Sequence, residues 1–170
     1  MRKTLFDSLI RRPFTERLTL ETDPELARMA AALDEGARRR LGRSLAIRTV
    51  DAGSCNACEL ELNALSNPFY DLERFGLKIV ASPRHADVLL VTGPVTQNMA
   101  AALLRTYEAM PAPKWVVAMG DCAICGGLFA GSAACLGGAA AVVPVDLHIP
   151  GCPPTPTRVL QGLLALMKSK

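Results

Sequence analysis

Histidine and aromatic residues are scarce in this chain of 170 residues, which has two His, one Trp, two Tyr and five Phe. His85 and His148 share no metal-ligand spacing with each other and read as surface or strand-end histidines. Neither Ser-His-Asp nor Cys-His nucleophilic catalysis is supported. An aromatic ligand cage is excluded. The absence of a basic stripe interleaved with aromatics argues against a nucleic-acid partner. No G-x-G-x-x-G or Walker sequence is present, so a nucleotide site is not expected. A membrane-spanning run is also missing. Residues 122–145 are uncharged, but Gly126–Gly127, Gly131 and Gly137–Gly138 break them and Pro144 ends them. At the start, Asp7, Arg11 and Arg12 interrupt any apolar leader, and "RRPF" is followed by "TERLTLETDPE" where a twin-arginine signal needs apolar residues. The expectation is a soluble chain in a reducing compartment, where structural disulfides are uncommon.

Half of the residues are hydrophobic, enough for one domain with a real core. Charge is uneven. Residues 1–48 hold 11 of the 19 Lys and Arg, so the basic part is the leading segment. That segment, residues 1–44, reads as a helical arm with Leu5, Phe6, Leu9 and Ile10 on one face. Asp23-Pro24-Glu25 predicts a helix start, and the helix continues over 25–41. It either packs on its own domain or docks a partner subunit. From residue 45 the pattern changes. Apolar runs at 44–50, 77–82, 87–93, 114–120 and 141–149 read as buried strands. Helical stretches at 59–66, 96–109 and 156–168 lie between and after them. This alternation predicts an α/β domain over 45–170 with a mainly parallel sheet and flanking helices.

Six cysteines remain to be explained: Cys55, Cys58, Cys122, Cys125, Cys135 and Cys152. Cys55 and Cys58 follow the first strand, Cys122 the fourth and Cys152 the last. Ligands of open parallel sheets bind at the carboxyl ends of strands, so three loops point four thiols at one edge. Four thiolates suit zinc or an iron–sulfur cluster. One C-x-x-C pair and two single cysteines in separate Gly/Pro loops favour a [4Fe–4S] cluster. Cys55, Cys58, Cys122 and Cys125 remain a formally good zinc set, belonging to a zinc-stabilised structural module. Outside that set, Cys125 and Cys135 read as small buried residues.

The motifs "GSCNACELE", "YDLERFG", "ASPRHADVLLVTGPVTQNMA", "MGDCAICGGLF" and "VPVDLHIPGCPPTP" run in order through about 120 residues. They resemble the small-subunit family shared by [NiFe] hydrogenases and the 20 kDa subunit of respiratory complex I. The resemblance implies a flavodoxin-like fold and one [4Fe–4S] cluster on Cys55, Cys58, Cys122 and Cys152. The spacing C-x-x-C, with Glu61 three residues after Cys58, resembles the branch of membrane-bound, energy-converting hydrogenases, formate hydrogenlyase included. Complex I members have adjacent cysteines. The implied role is electron transfer without catalytic residues of its own, between a large catalytic hydrogenase-type subunit and a ferredoxin-like iron–sulfur subunit. Membrane subunits would complete the complex, with the chain peripheral on the cytoplasmic side of the inner membrane. The complex I branch would add quinone. Beside the ligands, Glu59 and Glu61 are candidates to orient loop amides or move protons, Arg84 to lie near the cluster or partner, and Thr92 and Gly93 to support the same edge. Nothing in the chain supplies ligands for the two further clusters of exported hydrogenases, so one cluster is expected.

Overall fold

Aliphatic runs with almost no charge become the strands of one sheet. In the computed structural model, which describes residues 24–168, the chain order is α1 (Pro24–Leu41), β1 (Leu45–Asp51), α2 (Ala57–Ala64), β2 (Leu77–Ile79), β3 (Val88–Thr92), β4 (Val95–Thr96), α3 (Gln97–Glu108), β5 (Trp115–Met119), α4 (Asp121–Cys125), β6 (Cys135–Gly137), β7 (Leu147–Ile149) and α5 (Pro156–Lys168). Five strands pair in parallel in the order β2-β1-β3-β5-β7. Taken as the five sheet strands alone, that is the flavodoxin-like order. β4 and β6 form a separate antiparallel ribbon beyond the end of β3.

The central strand shows why the sheet is parallel and two-sided. Every residue of β3 is buried, with no alternation, because helices cover both faces. Ile47, Val88, Leu90, Val117 and Met119 face the α1 and α5 side. Val50, Leu89, Val91, Val116 and Ala118 face the α3 side, where Leu103 and Met110 close the core.

Helix α1 spans Pro24–Leu41, in keeping with the predicted start at Asp23-Pro24-Glu25 and continuation over 25–41. Leu26, Met29, Ala30, Leu33 and Ala37 recur at helical spacing and are buried. They pack with α5, and Gly36 gives room: a Cβ there would stand 3.1 Å from Met167 Cβ. Arg38 and Arg39 reach back one turn to Asp34 and Glu35 on the exposed face. The predicted apolar face of Leu5, Phe6, Leu9 and Ile10 lies outside the described residues.

Two strands are shorter than their apolar runs. β2 stops at Ile79, and only the Val80 N–H still reaches Ile47 O, at 2.8 Å. Of the run 141–149, only Leu147–Ile149 pairs, and Ala139–Ala141 turns as a 3₁₀ helix. Pro144 has no N–H for a ladder. No helix of the described residues is long and apolar enough to cross a membrane.

At the amino end of the sheet, Asp87 is 4% exposed. Its carboxylate accepts two N–H bonds from Arg43, at 2.9 and 2.7 Å, and one from the Ala46 backbone at 2.9 Å. Asp87→Ala strands the Ala46 amide and frees the half-exposed guanidinium. The expected cost is about 2–3 kcal/mol, read as a lower urea midpoint with an unchanged slope.

Candidate functional site

Three loops leave the carboxyl ends of β1, β5 and β7, and each is shaped by one short-range device. After β1, Asp51 Oδ1 accepts the N–H groups of Gly53 and Ser54 at 2.8 and 2.7 Å. Ser54 Oγ in turn accepts the Asn56 N–H at 3.0 Å, and Asn56 takes a left-handed conformation. The chain thereby turns sharply into α2. Cys55 is left exposed before the helix, and Cys58 is buried in its first turn. After β5, Gly120 swings the chain into α4, which carries Cys122. After β7, Gly151 leads into Cys152. The last two loops are tied to each other: the Asp121 N–H donates to Gly151 O, and the Gly151 N–H donates to Asp121 Oδ1, both at 2.9 Å.

These ties bring Cys55, Cys58, Cys122 and Cys152 to the wall of one cleft, together with Ser54, Gly93 and Asp121. Cys125 does not line it. Its exposed thiol donates to Asp121 O at 3.3 Å, one turn back along α4. Cys135 sits half-buried in β6, away from the cleft. Of the two sequence-predicted ligand sets, the one completed by Cys152 is gathered, and the one completed by Cys125 is not.

The backbone makes room for these sulfurs. A Cβ at Gly120 would stand 2.8 Å from Cys58 Sγ, and one at Gly127 would stand 2.7 Å from Cys122 Sγ. Burial raises the Cys58 thiol to about 12, helped by the charge of Glu59 and then by those of Cys122, Cys55 and Cys152. Burial also raises the Cys122 thiol, opposed by a hydrogen bond from the Leu128 backbone N–H, while Cys152, Cys55 and Asp121 add to the rise. The four sulfurs therefore act on one another electrostatically. As thiolates they need a shared cationic partner. Among the described residues, no three His, Cys, Asp or Glu side chains close on a point as a single-ion site would require.

The supporting residues divide. Glu59 accepts hydrogen bonds from Ser54 Oγ at 2.6 Å and from Thr92 Oγ1. Thr92 ends β3 and is buried. Gly93 lines the cleft, and a Cβ there would press on the Ser54 amide at 2.4 Å. Glu61 is half-buried on α2 and does not line the cleft. Arg84 is exposed in the turn Pro83–His85, which feeds the amino end of β3, so of its two expected places, near the cluster or near a partner, it does not occupy the first: the thiols are at the opposite edge. His85 and His148 are exposed and do not line the cleft. The sequence reading missed Asp51, Ser54 and Asp121. The "DAG" of residues 51–53 carried a signal for the first of these, since Asp two residues before Gly commonly makes such a turn.

The cleft lies at the carboxyl edge of the sheet, lined from the ends of β1, β3, β5 and β7, and so takes in the β1/β3 point where strand order reverses. Fold and site together define a flavodoxin-like protein with four cysteines lining a cleft at that edge. Residues 55–166 match the family described as "NADH ubiquinone oxidoreductase, 20 Kd subunit", and the chain belongs to that family of oxidoreductase-complex subunits. It is 43% identical over 154 residues to formate hydrogenlyase subunit 7 of Escherichia coli (strain K12), covering 89% of this chain but 59% of that relative's length. It is 47% identical over 129 residues to a probable membrane-bound hydrogenase subunit of Pyrococcus furiosus, covering 75% of this chain and 77% of that one. Among solved structures, it resembles a chain of the membrane-bound sulfane sulfur reductase, an archaeal respiratory membrane complex. The TM-score is 0.67 and the identity 37%, with 81% of this chain and 74% of that one covered.

Proposed function

We propose that this chain is the electron-transfer subunit of a membrane-bound oxidoreductase complex, holding one [4Fe–4S] cluster on Cys55, Cys58, Cys122 and Cys152. The observation that carries the reading is the convergence of those four thiols, from three loops, on one cleft that Cys125 and Cys135 do not line. When bound, such a cluster supplies one-electron transfer. The chain's residues supply its seat. Gly120 and Gly127 leave backbone space against two of the sulfurs. The Leu128 amide donates to the Cys122 sulfur, the kind of bond that tunes a cluster's potential. The pairing of Asp121 with Gly151 holds two ligand loops in register.

In this reading the chain sits peripherally on the cytoplasmic side of the inner membrane. One neighbour is a large catalytic subunit of the [NiFe] hydrogenase type, and another is a ferredoxin-like iron–sulfur subunit. The C-x-x-C spacing and the two hydrogenase-named relatives favour this branch over a quinone-reducing one. The test is iron, sulfide, zinc and nickel content, with low-temperature EPR before and after dithionite, on the complex purified anaerobically and on this chain alone. The expected result for the chain is about four irons and four sulfides, with an EPR signal on reduction. Nickel in the complex identifies the hydrogenase branch. One zinc without sulfide in the isolated chain overturns the reading in favour of a structural module.

A further inference from the structure

Glu59 is held by three separate parts of the fold. It rides on the first turn of α2, directly after Cys58. Ser54, in the turn that shapes the Cys55 loop, donates to its Oε2 at 2.6 Å. Thr92, at the end of β3, donates to its Oε1. Both carboxylate oxygens thus act as acceptors, the role they fill when the group carries its charge. Neither donor is free to move away. Thr92 is 1% exposed and in register between Asp51 and Met119. Ser54 is pressed against Gly93 and bonded through its own amide to Asp51. Two hydroxyls on unrelated elements are more than an orienting bond for a surface carboxylate needs.

We infer that Glu59 is a positioning residue that fixes a negative charge against the Cys58 sulfur and so lowers the reduction potential of the group the four cysteines hold. This rests on the proposed cluster. Reduction adds one electron to a group already surrounded by thiolates, and a fixed neighbouring anion opposes that added charge. Cys58 is 8% exposed, so water and salt screen the interaction poorly. Glu59 follows Cys58 directly in the first helical turn and is bonded to Ser54, which lines the same cleft, so its carboxylate is held beside the thiols. Neither glutamate lines the cleft itself, but Glu59 is bonded to Ser54, which does, and Glu61, two residues on, serves as the control.

The test is an EPR-monitored redox titration of the loaded protein carrying Glu59→Gln, Glu59→Asp or Glu61→Gln. Glutamine keeps the shape. Its amide nitrogen can donate to one hydroxyl, and Thr92 Oγ1 can still turn to Val50 O at 3.4 Å. The expected result is a less negative midpoint for Glu59→Gln that persists at high salt, with Glu59→Asp near wild type and Glu61→Gln unchanged. A second readout needs no cofactor. After chelation of the metal, alkylation of Cys58 at fixed pH, located by mass spectrometry, runs faster in Glu59→Gln than in wild type. An unchanged midpoint with iron and sulfide intact overturns the inference. So does an unchanged alkylation rate where the variant fails to load. A wild-type chain without iron and sulfide overturns the proposed function instead, and the alkylation rate then decides the role of Glu59 by itself.

Discussion

With the proposed cluster in place, replacing Cys152 by serine is expected to remove iron and sulfide from the protein, whereas replacing Cys125 by serine is expected to leave both in place. Both residues are exposed cysteines, and Cys125 completes a second C-x-x-C that makes a formally good zinc set. The ligand layout and the family resemblance favour Cys152 instead, and the tertiary structure gathers that set. Cys152 lines the cleft with Cys55, Cys58 and Cys122, while the Cys125 thiol turns back along its own helix to Asp121 O. A serine hydroxyl is a poor substitute for a thiolate at iron, so three remaining cysteines leave a cluster with one open corner. The expected loss in Cys152→Ser is most of the iron and sulfide and the whole wild-type EPR signal after dithionite. Near-wild-type values are expected for Cys125→Ser. Metal analysis on anaerobically purified variants checks both. The converse pattern would assign the site to Cys55, Cys58, Cys122 and Cys125.

The second large effect is at Gly120, between β5 and the helix that carries Cys122. Its φ of 89° and ψ of 153° lie in a region essentially reserved for glycine. Its N–H donates to Ile149 O at 2.8 Å, and its carbonyl accepts from Ile124, so the peptide cannot turn away. Gly120→Ala adds a methyl 2.8 Å from Cys58 Sγ and 3.4 Å from Gly151 O. Backbone strain and the displaced sulfur together are expected to cost about 2–4 kcal/mol, with iron content falling to a small fraction of wild type. Gly131→Ala separates the two causes. Gly131 also has a positive φ, of 86°, but a Cβ there meets nothing within 4 Å. That variant is expected to lose about 1 kcal/mol and keep its iron. Urea denaturation paired with iron analysis reads both quantities on the same samples.

Much of this site was legible in the chain because its parts are local. Val-, Leu- and Ile-rich runs without alternation can only be buried strands of a parallel sheet, and β1, β3 and β5 lie where those runs lie. A cysteine just after such a run must sit at a carboxyl edge, so the loop placement of Cys55, Cys58, Cys122 and Cys152 followed from strand position. Thr92 and Gly93 were placed by the same rule. Arg84 lies between two strand runs but enters the sheet at its amino end, because β2 ends early and the turn Pro83–His85 falls beside the start of β3. The run 141–149 was too long for its strand, since apolar content does not say which residues find a ladder partner. β4, β6 and α4 are too short to leave a periodic signal.

The amino-acid sequence by itself determined the α/β alternation, the mainly parallel sheet and the edge at which four thiols emerge, because hydrophobic pattern is a property of contiguous residues. The tertiary structure decided what holds those thiols at one cleft and that Cys125 stands outside it. The bonds that matter, from Asp121 to Gly151 and from Thr92 to Glu59, join residues 30 and 33 positions apart. Such pairings depend on how the loops meet in space, and no local pattern encodes that.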